Sequence, residues 1–176
     1  MKKNKKWIQY AILILFVVIA GVTLFSSVLS NEDIPEVGKI APDFTLGGLD
    51  GQVYRLSDFA GQPVIVNFWG TFCEPCVREM PAIEDIYKKY QSKDVVVLGV
   101  NLNGEPEVTV RSFVNQVGVT FPILLDNRVV SEQYDVKYYP TTFFIDSKGK
   151  IIEKKIGEMN ESYLIQTVNK LLAEKE

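Results

Sequence analysis

The order of apolar segments in this 176-residue chain predicts an α/β fold with a mixed central sheet flanked by helices. Two observations carry that prediction. Short β-branched or aromatic runs alternate with helix-period patterns, and the series closes with a hairpin signal and then an amphipathic helix.

At the start of the chain, Lys2, Lys3, Lys5 and Lys6 precede an apolar run from Trp7 to about Leu29 in which nothing is charged. A helix over that run (~23 residues at 1.5 Å each, roughly 34 Å) is long enough to cross a bilayer core. The lysines stay cytoplasmic, so the chain after Ser30 is expected outside. A cleaved signal peptide is the competing reading, but only Val28-Leu29-Ser30 loosely resembles a cleavage site. Both readings export the rest of the chain. The expected organisation is a basic tail over 1–6, a transmembrane signal-anchor over 7–29, a linker over 30–38 and one α/β domain over 39–176.

Within that domain, Phe44–Leu46 and Val53–Arg55 flank Gly47-Gly48 and Asp50-Gly51 and predict an N-terminal hairpin. Runs 64–68, 95–100 and 142–145 have the length and composition of buried strands. Ile151–Ile156 comes after the turn Asp146-Ser-Lys-Gly149. Cys76, Met80, Ile83, Tyr87 and Tyr90 share one face of a helix. A second helix over Glu107–Val117 opens after Pro106. Asn160 suits the cap of a last helix burying Leu164, Val168, Leu171 and Leu172.

Composition excludes several chemistries. There is no histidine, which removes His-based triads, Cys–His pairs and most transition-metal sites. Residues 1–30 hold four lysines and no acid, so the rest carries 15 basic and 22 acidic side chains, a balance that repels nucleic acid. Two cysteines alone make a poor zinc site, and Val77 stands where haem attachment would need histidine. No metal or cofactor is expected beyond a redox-active disulfide.

The dithiol is the centre of the reading. Strand 64–68 leads into Trp69-Gly-Thr-Phe-Cys73-Glu-Pro-Cys76 and then an amphipathic helix. Cysteines at i and i+3 in a first helical turn lie within about 5–6 Å, inside the disulfide window. Free N–H groups and the positive helix end favour thiolate at Cys73. Pro75 fits a first turn because its missing N–H has no helical partner to serve. Cys76 lies on the buried stripe, so Cys73 is expected to attack and Cys76 to resolve. A purely structural disulfide is the bland alternative, but so short a loop gains little stability.

Trp69–Cys76 resembles the active site of the thioredoxin superfamily. Pro81 matches that family's kink-producing proline, and Tyr139-Pro140-Thr141 its cis-proline segment facing the dithiol. The opening Gly38–Leu46, the hairpin and the segment Glu107–Leu125 resemble the branch with an added helix and strand. With the anchor and Cys-Glu-Pro-Cys, the chain is similar to ResA-type proteins of the TlpA-like group. That resemblance implies a thioredoxin-like fold and an extracytoplasmic thiol-disulfide oxidoreductase. It also implies reduction of the haem-binding cysteines of apocytochrome c during cytochrome c maturation. The expected electron donor is a membrane thiol-disulfide protein of the CcdA type. A spore-maturation branch shares the architecture, so that substrate class stays open here.

Two departures stand out. Phe72 replaces the usual tryptophan before the first cysteine and keeps an aromatic platform. Asn67 stands where thioredoxin buries an aspartate below the dithiol, and asparagine cannot carry a proton. The resemblance points to Glu79, which could exchange protons with Cys76 or could be a surface acid favoured by the helix dipole. Glu105 resembles a family acid near the site and could equally be a helix-start acid before Pro106. Glu74, between the cysteines, should oppose the dipole and raise the Cys73 pKa. Tyr138 and Tyr139 could line a substrate groove or simply pack. Two further classes remain: a peroxiredoxin, disfavoured because Gly70 occupies its Thr/Ser position, and a non-enzymatic tethered binding module.

Overall fold

The computed structural model describes residues 3–29, 34–102 and 104–173. Residues 1–2 of the expected tail, 30–33 of the expected linker and 174–176 of the domain lie outside the described residues. The chain divides into two units, Met1–Ile34 and Pro35–Glu176. In the first, helix α1 (Lys3–Leu29) runs through the apolar stretch, and its side chains from Gln9 to Val22 are all exposed. Among the described residues no helix is long and apolar enough to cross a membrane. The transmembrane helix expected over 7–29 is therefore not shown.

The second unit holds seven strands: β1 (Thr45–Gly48), β2 (Val53–Arg55), β3 (Val64–Trp69), β4 (Val96–Asn101), β5 (Ile123–Leu125), β6 (Thr141–Ile145) and β7 (Ile151–Ile156). Helices α2 (Glu74–Tyr90), α3 (Glu107–Val117), α4 (Val129–Gln133) and α5 (Glu161–Ala173) alternate with them. The strands form one mixed sheet in the order β2-β1-β5-β4-β3-β6-β7. Strand β3 pairs in parallel with β4 and antiparallel with β6, which places it in the interior of the sheet. This is the predicted α/β architecture.

Two differences from the sequence reading have physical causes. Gly47 and Gly48, expected in the turn, belong to β1, because they pair with Leu125 and Leu124 of β5. A Cβ on Gly48 would stand 2.5 Å from Asp50 Oδ1 and 2.7 Å from the Tyr54 ring, so a larger residue there would push aside the hydrogen-bonded Asp50–Tyr54 pair at the turn. Helix α4 has no counterpart in the sequence reading, since five residues show no period. Its start is held by Asp126, whose buried carboxylate accepts from the N–H groups of Val130 (3.0 Å) and Ser131 (2.8 Å).

Every residue of β3 is buried because helices and loops cover both sheet faces. Val64, Val66 and Phe68 join one cluster with Phe143 and Tyr134. Ile65 and Trp69 join the other, beneath α2 and α5. Alternation places Asn67 on the α2 side between them. Helix α2 buries the predicted Cys76, Met80, Ile83 and Tyr90, with Tyr87 half-buried. It also buries Glu79 and Glu84, which a hydrophobic period cannot foresee. Asn160 caps α5 as expected, its Oδ1 accepting from the Tyr163 N–H at 2.9 Å.

Candidate active site

Cys73 and Cys76 are joined as a disulfide with Cα atoms 5.2 Å apart. Strand β3 ends at Trp69, and the chain turns through Gly70–Phe72 before α2 begins at Glu74. Cys73 is thus the residue capping α2, and its sulfur accepts from the Cys76 N–H at 3.3 Å. The same bond would favour a thiolate there, as would the helix's positive end. Pro75 lies in the first turn. The two residues differ in access: Cys73 is 8% exposed and Cys76 is 0%. That order agrees with attacking and resolving roles, although Cys73 is far less open than the sequence suggested.

Glu79 lies one turn beyond Cys76 and is 1% exposed, so the surface-acid reading does not hold. Its Oε1 accepts from Asn67 Nδ2 at 2.8 Å and its Oε2 from the Met159 N–H at 3.1 Å. Burial carries its carboxyl from 4.5 up to about 7; the Asn67 and Met159 hydrogen bonds pull downward, and nearby Glu158 adds to the rise. A carboxyl in that range can hold or release a proton at neutral pH. Asn67 itself bridges from Glu79 to Thr142 Oγ1 at 2.9 Å, across the β3–β6 pairing.

Glu105 does not start a helix. Its carboxylate accepts from the Thr71 N–H (3.1 Å), the Thr71 hydroxyl (2.5 Å) and Asn101 Nδ2 (2.7 Å). It therefore ties the loop ahead of Cys73 to the end of β4. Glu74 points to solvent and pairs with Arg78 at 2.8 Å, so its charge beside Cys73 is offset. Arg78 also binds Glu158 Oε2 through Nη2 at 2.7 Å. That pair fastens the β7–α5 loop, whose next residue, Met159, donates to Glu79.

The Tyr139–Pro140 bond is cis, as the resemblance implied. Pro140 is buried and Tyr139 half-buried, with Tyr138 exposed beside them. Phe72 is 59% exposed, and its ring meets that of Tyr139 edge-on at 6.1 Å. The two rings make an apolar rim between the dithiol loop and the proline loop. Trp69, by contrast, is fully buried against Phe113, at 5.4 Å between centroids, and shapes the site from beneath. Among the described residues, no cluster of His, Cys, Asp or Glu is placed to hold a metal.

Comparison with known proteins decides the family. A profile of the AhpC/TSA family matches residues 37–154. The chain is 39% identical to the thiol-disulfide oxidoreductase ResA of Geobacillus thermodenitrificans strain NG80-2, over 94% of this chain and 96% of that one. The chain belongs to the ResA group of thiol-disulfide oxidoreductases, within the AhpC/TSA family. ResA of Bacillus subtilis strain 168 is 37% identical over 96% of this chain and 94% of its own. Among solved structures, the exposed lipoprotein thioredoxin Etrx1 of Streptococcus pneumoniae superposes with a TM-score of 0.66 at 33% identity, covering 73% of this chain and 99% of that one. The enzyme is thus a thiol-disulfide oxidoreductase with a thioredoxin-like fold and a Cys-x-x-Cys pair.

Membership in the ResA group gives the geometry a chemistry. Cys73 and Cys76 can exchange two electrons with a protein disulfide, with Glu79 as the buried group able to move a proton. Arg78, Glu158, Met159 and Thr142 complete the surroundings and escape sequence reasoning. Arg78 alone carries a signal, four residues after Glu74 on one helix face.

Proposed function

We propose that the chain is a membrane-anchored reductant of exported protein disulfides, with the haem-binding cysteine pair of apocytochrome c as its substrate. The observation that carries this reading is the asymmetry of the dithiol: a slightly exposed cysteine at a helix start, backed by a fully buried cysteine one turn from a buried carboxyl. The anchor rests on the lysine-flanked apolar run over 7–29, and the extracytoplasmic side on the lysine bias. A related thioredoxin described as an exposed lipoprotein supports an external site. The substrate rests on the resemblance to ResA-type proteins.

In the reduced enzyme, the Cys73 thiolate attacks one sulfur of the substrate disulfide, forming a mixed disulfide and releasing the other substrate sulfur as thiolate. Glu79, ionised, takes the Cys76 proton. The Cys76 thiolate then attacks Cys73 Sγ, closing the disulfide and releasing the second substrate thiolate. Two electrons leave the enzyme and the substrate becomes a dithiol. A membrane thiol donor of the CcdA type restores the reduced pair. Phe72 and Tyr139, the latter positioned by the cis bond to Pro140, form the surface on which the substrate's cysteine segment lies.

The decisive experiment is trapping in cells with Cys76→Ser and identification of the partner. A c-type apocytochrome joined through Cys73 supports the reading, and capture of a spore-maturation protein instead overturns the substrate. Protease added to sealed spheroplasts should degrade the domain; full protection would end the topology. A peroxidase reading gains little from the family profile, because Gly70 leaves no hydroxyl three residues before Cys73. Thr71, one place later, gives its hydroxyl to Glu105.

A further inference from the structure

The Asn67 side chain is fully buried, and its two polar atoms are treated unequally. Nδ2 donates to Glu79 Oε1 at 2.8 Å and to Thr142 Oγ1 at 2.9 Å, which uses both of its protons. Oδ1 has no partner, and only Trp69 Nε1 shares that condition among the described buried side chains. A buried acceptor left without a donor calls for a cause.

The arrangement suits an ionised Glu79. Its Oε1 receives the Asn67 proton and its Oε2 receives the Met159 N–H. When Glu79 takes up a proton, the Met159 N–H still occupies Oε2, so the new hydrogen belongs on Oε1. There it faces Nδ2, and two donors meet. A half-turn of the Asn67 amide removes the conflict by exchanging Nδ2 for Oδ1. Oδ1 then accepts from Glu79 Oε1–H and from the Thr142 hydroxyl, which can serve as acceptor in one state and donor in the other. Each orientation leaves one amide atom unpartnered: Oδ1 with Glu79 ionised, Nδ2 with Glu79 neutral. Neither orientation is locked. An ionised aspartate at this position offers only acceptors and could not follow the change.

We infer that Asn67 is a positioning residue whose side-chain amide turns over with the protonation of Glu79, keeping a hydrogen bond to that carboxyl in both of its states. This rests on the reading of Glu79 as the proton carrier. The groups around Glu79 leave the amide as its responsive partner. From α2, Glu74 and Arg78 face solvent as a pair. From the β7–α5 loop, Glu158 is bound by Arg78. From α5, the Tyr163 hydroxyl is engaged by Glu153. From β3 and β6 come only the neutral Asn67 and Thr142, and Cys76 is held in the disulfide.

The test uses the full-length oxidised chain in detergent, with asparagine side-chain nitrogens and glutamate carboxyl carbons isotopically labelled for NMR. Between pH 5 and 9 the Asn67 amide protons should pass from free to hydrogen-bonded positions as pH rises. Their midpoint should coincide with that of the Glu79 carboxyl carbon, and both changes should vanish in Glu79→Gln. The measurement on the unmodified chain does not depend on any variant folding. An Asn67 amide equally hydrogen-bonded at both ends, while Glu79 titrates, overturns the turnover and leaves the proton-carrier reading standing. A Glu79 carboxyl already ionised at pH 5 overturns both.

Discussion

Asn67 and Glu79 meet at 2.8 Å in a layer sealed between β3 and α2, a neutral amide against a carboxyl that burial has made reluctant to ionise. Glu79 follows Cys76 by three residues on α2, and Asn67 holds the position where thioredoxin buries an aspartate. The consequences can be measured.

The first concerns stability against pH in the oxidised protein. The folded Glu79 carboxyl holds its proton up to about 7, whereas an unfolded one releases it near 4.5. Below 4.5 both states are protonated and nothing is lost. As pH rises through that window, the unfolded chain ionises first and folding weakens, by about 3 kcal/mol once pH exceeds 7. Glu79→Gln should therefore gain on the parent by about that amount between pH 4 and pH 8. Urea unfolding at the two pH values checks it, and a constant difference would contradict the buried, raised carboxyl.

The same substitution should slow exchange. With the proton acceptor gone, reduction of a model disulfide at pH 7 by Glu79→Gln should fall by at least about tenfold. Stopped-flow fluorescence of the reduced enzyme reads the rate directly. An unchanged rate would remove Glu79 from the chemistry and leave it a structural residue.

Trapping should be one-sided. Cys76→Ser, which leaves Cys73 in place, 8% exposed, should accumulate mixed disulfides, and Cys73→Ser should accumulate few because Cys76 is sealed. Non-reducing gels after acid quench give the answer. Equal trapping by both would mean that the access difference does not govern attack.

Glu105 is expected to matter for the loop rather than for proton transfer. Glu105→Ala removes the acceptor of three hydrogen bonds, two from Thr71 and one from the buried Asn101. Leaving those donors without a charged partner should cost about 2 kcal/mol. Denaturant titration should show it, with Glu105→Gln retaining part of the loss.

Gly99 offers a test of packing under the site. A Cβ there would lie 2.8 Å from the Phe121 ring, 2.9 Å from Ile123 and 3.2 Å from Trp69 Nε1. All three neighbours are buried, so Gly99→Ala should cost about 1–3 kcal/mol and push Trp69. Thermal unfolding with tryptophan fluorescence reports both effects.

Much of this molecule is legible without coordinates. Strand 64–68 reads as buried from an apolar run that only Asn67 interrupts, and α2 reads from the spacing of Cys76, Met80, Ile83 and Tyr90. Asn160 reads as a cap. The dithiol at the junction of that strand and helix comes from order alone, because strand, turn and helix start are local events set by neighbouring residues. Glycine is the exception. Gly47 and Gly48 look like a turn locally, but a distant strand, β5, recruits them into the sheet.

The state of the acids was decided by tertiary structure. Glu79, Glu84 and Glu105 differ in environment for reasons no local pattern holds. Glu79 is closed in by Met159, eighty residues away, and by Asn67 on the interior strand β3. Glu84 is bound by Thr120. Glu105 is bound by Thr71 and Asn101. A carboxyl's proton affinity depends on solvent exclusion and on donors brought in by the whole fold. Residue order along the chain sets where the dithiol sits and which cysteine heads the helix. Only packing decided that the acid behind it would be dry, and that a neutral amide would be its partner.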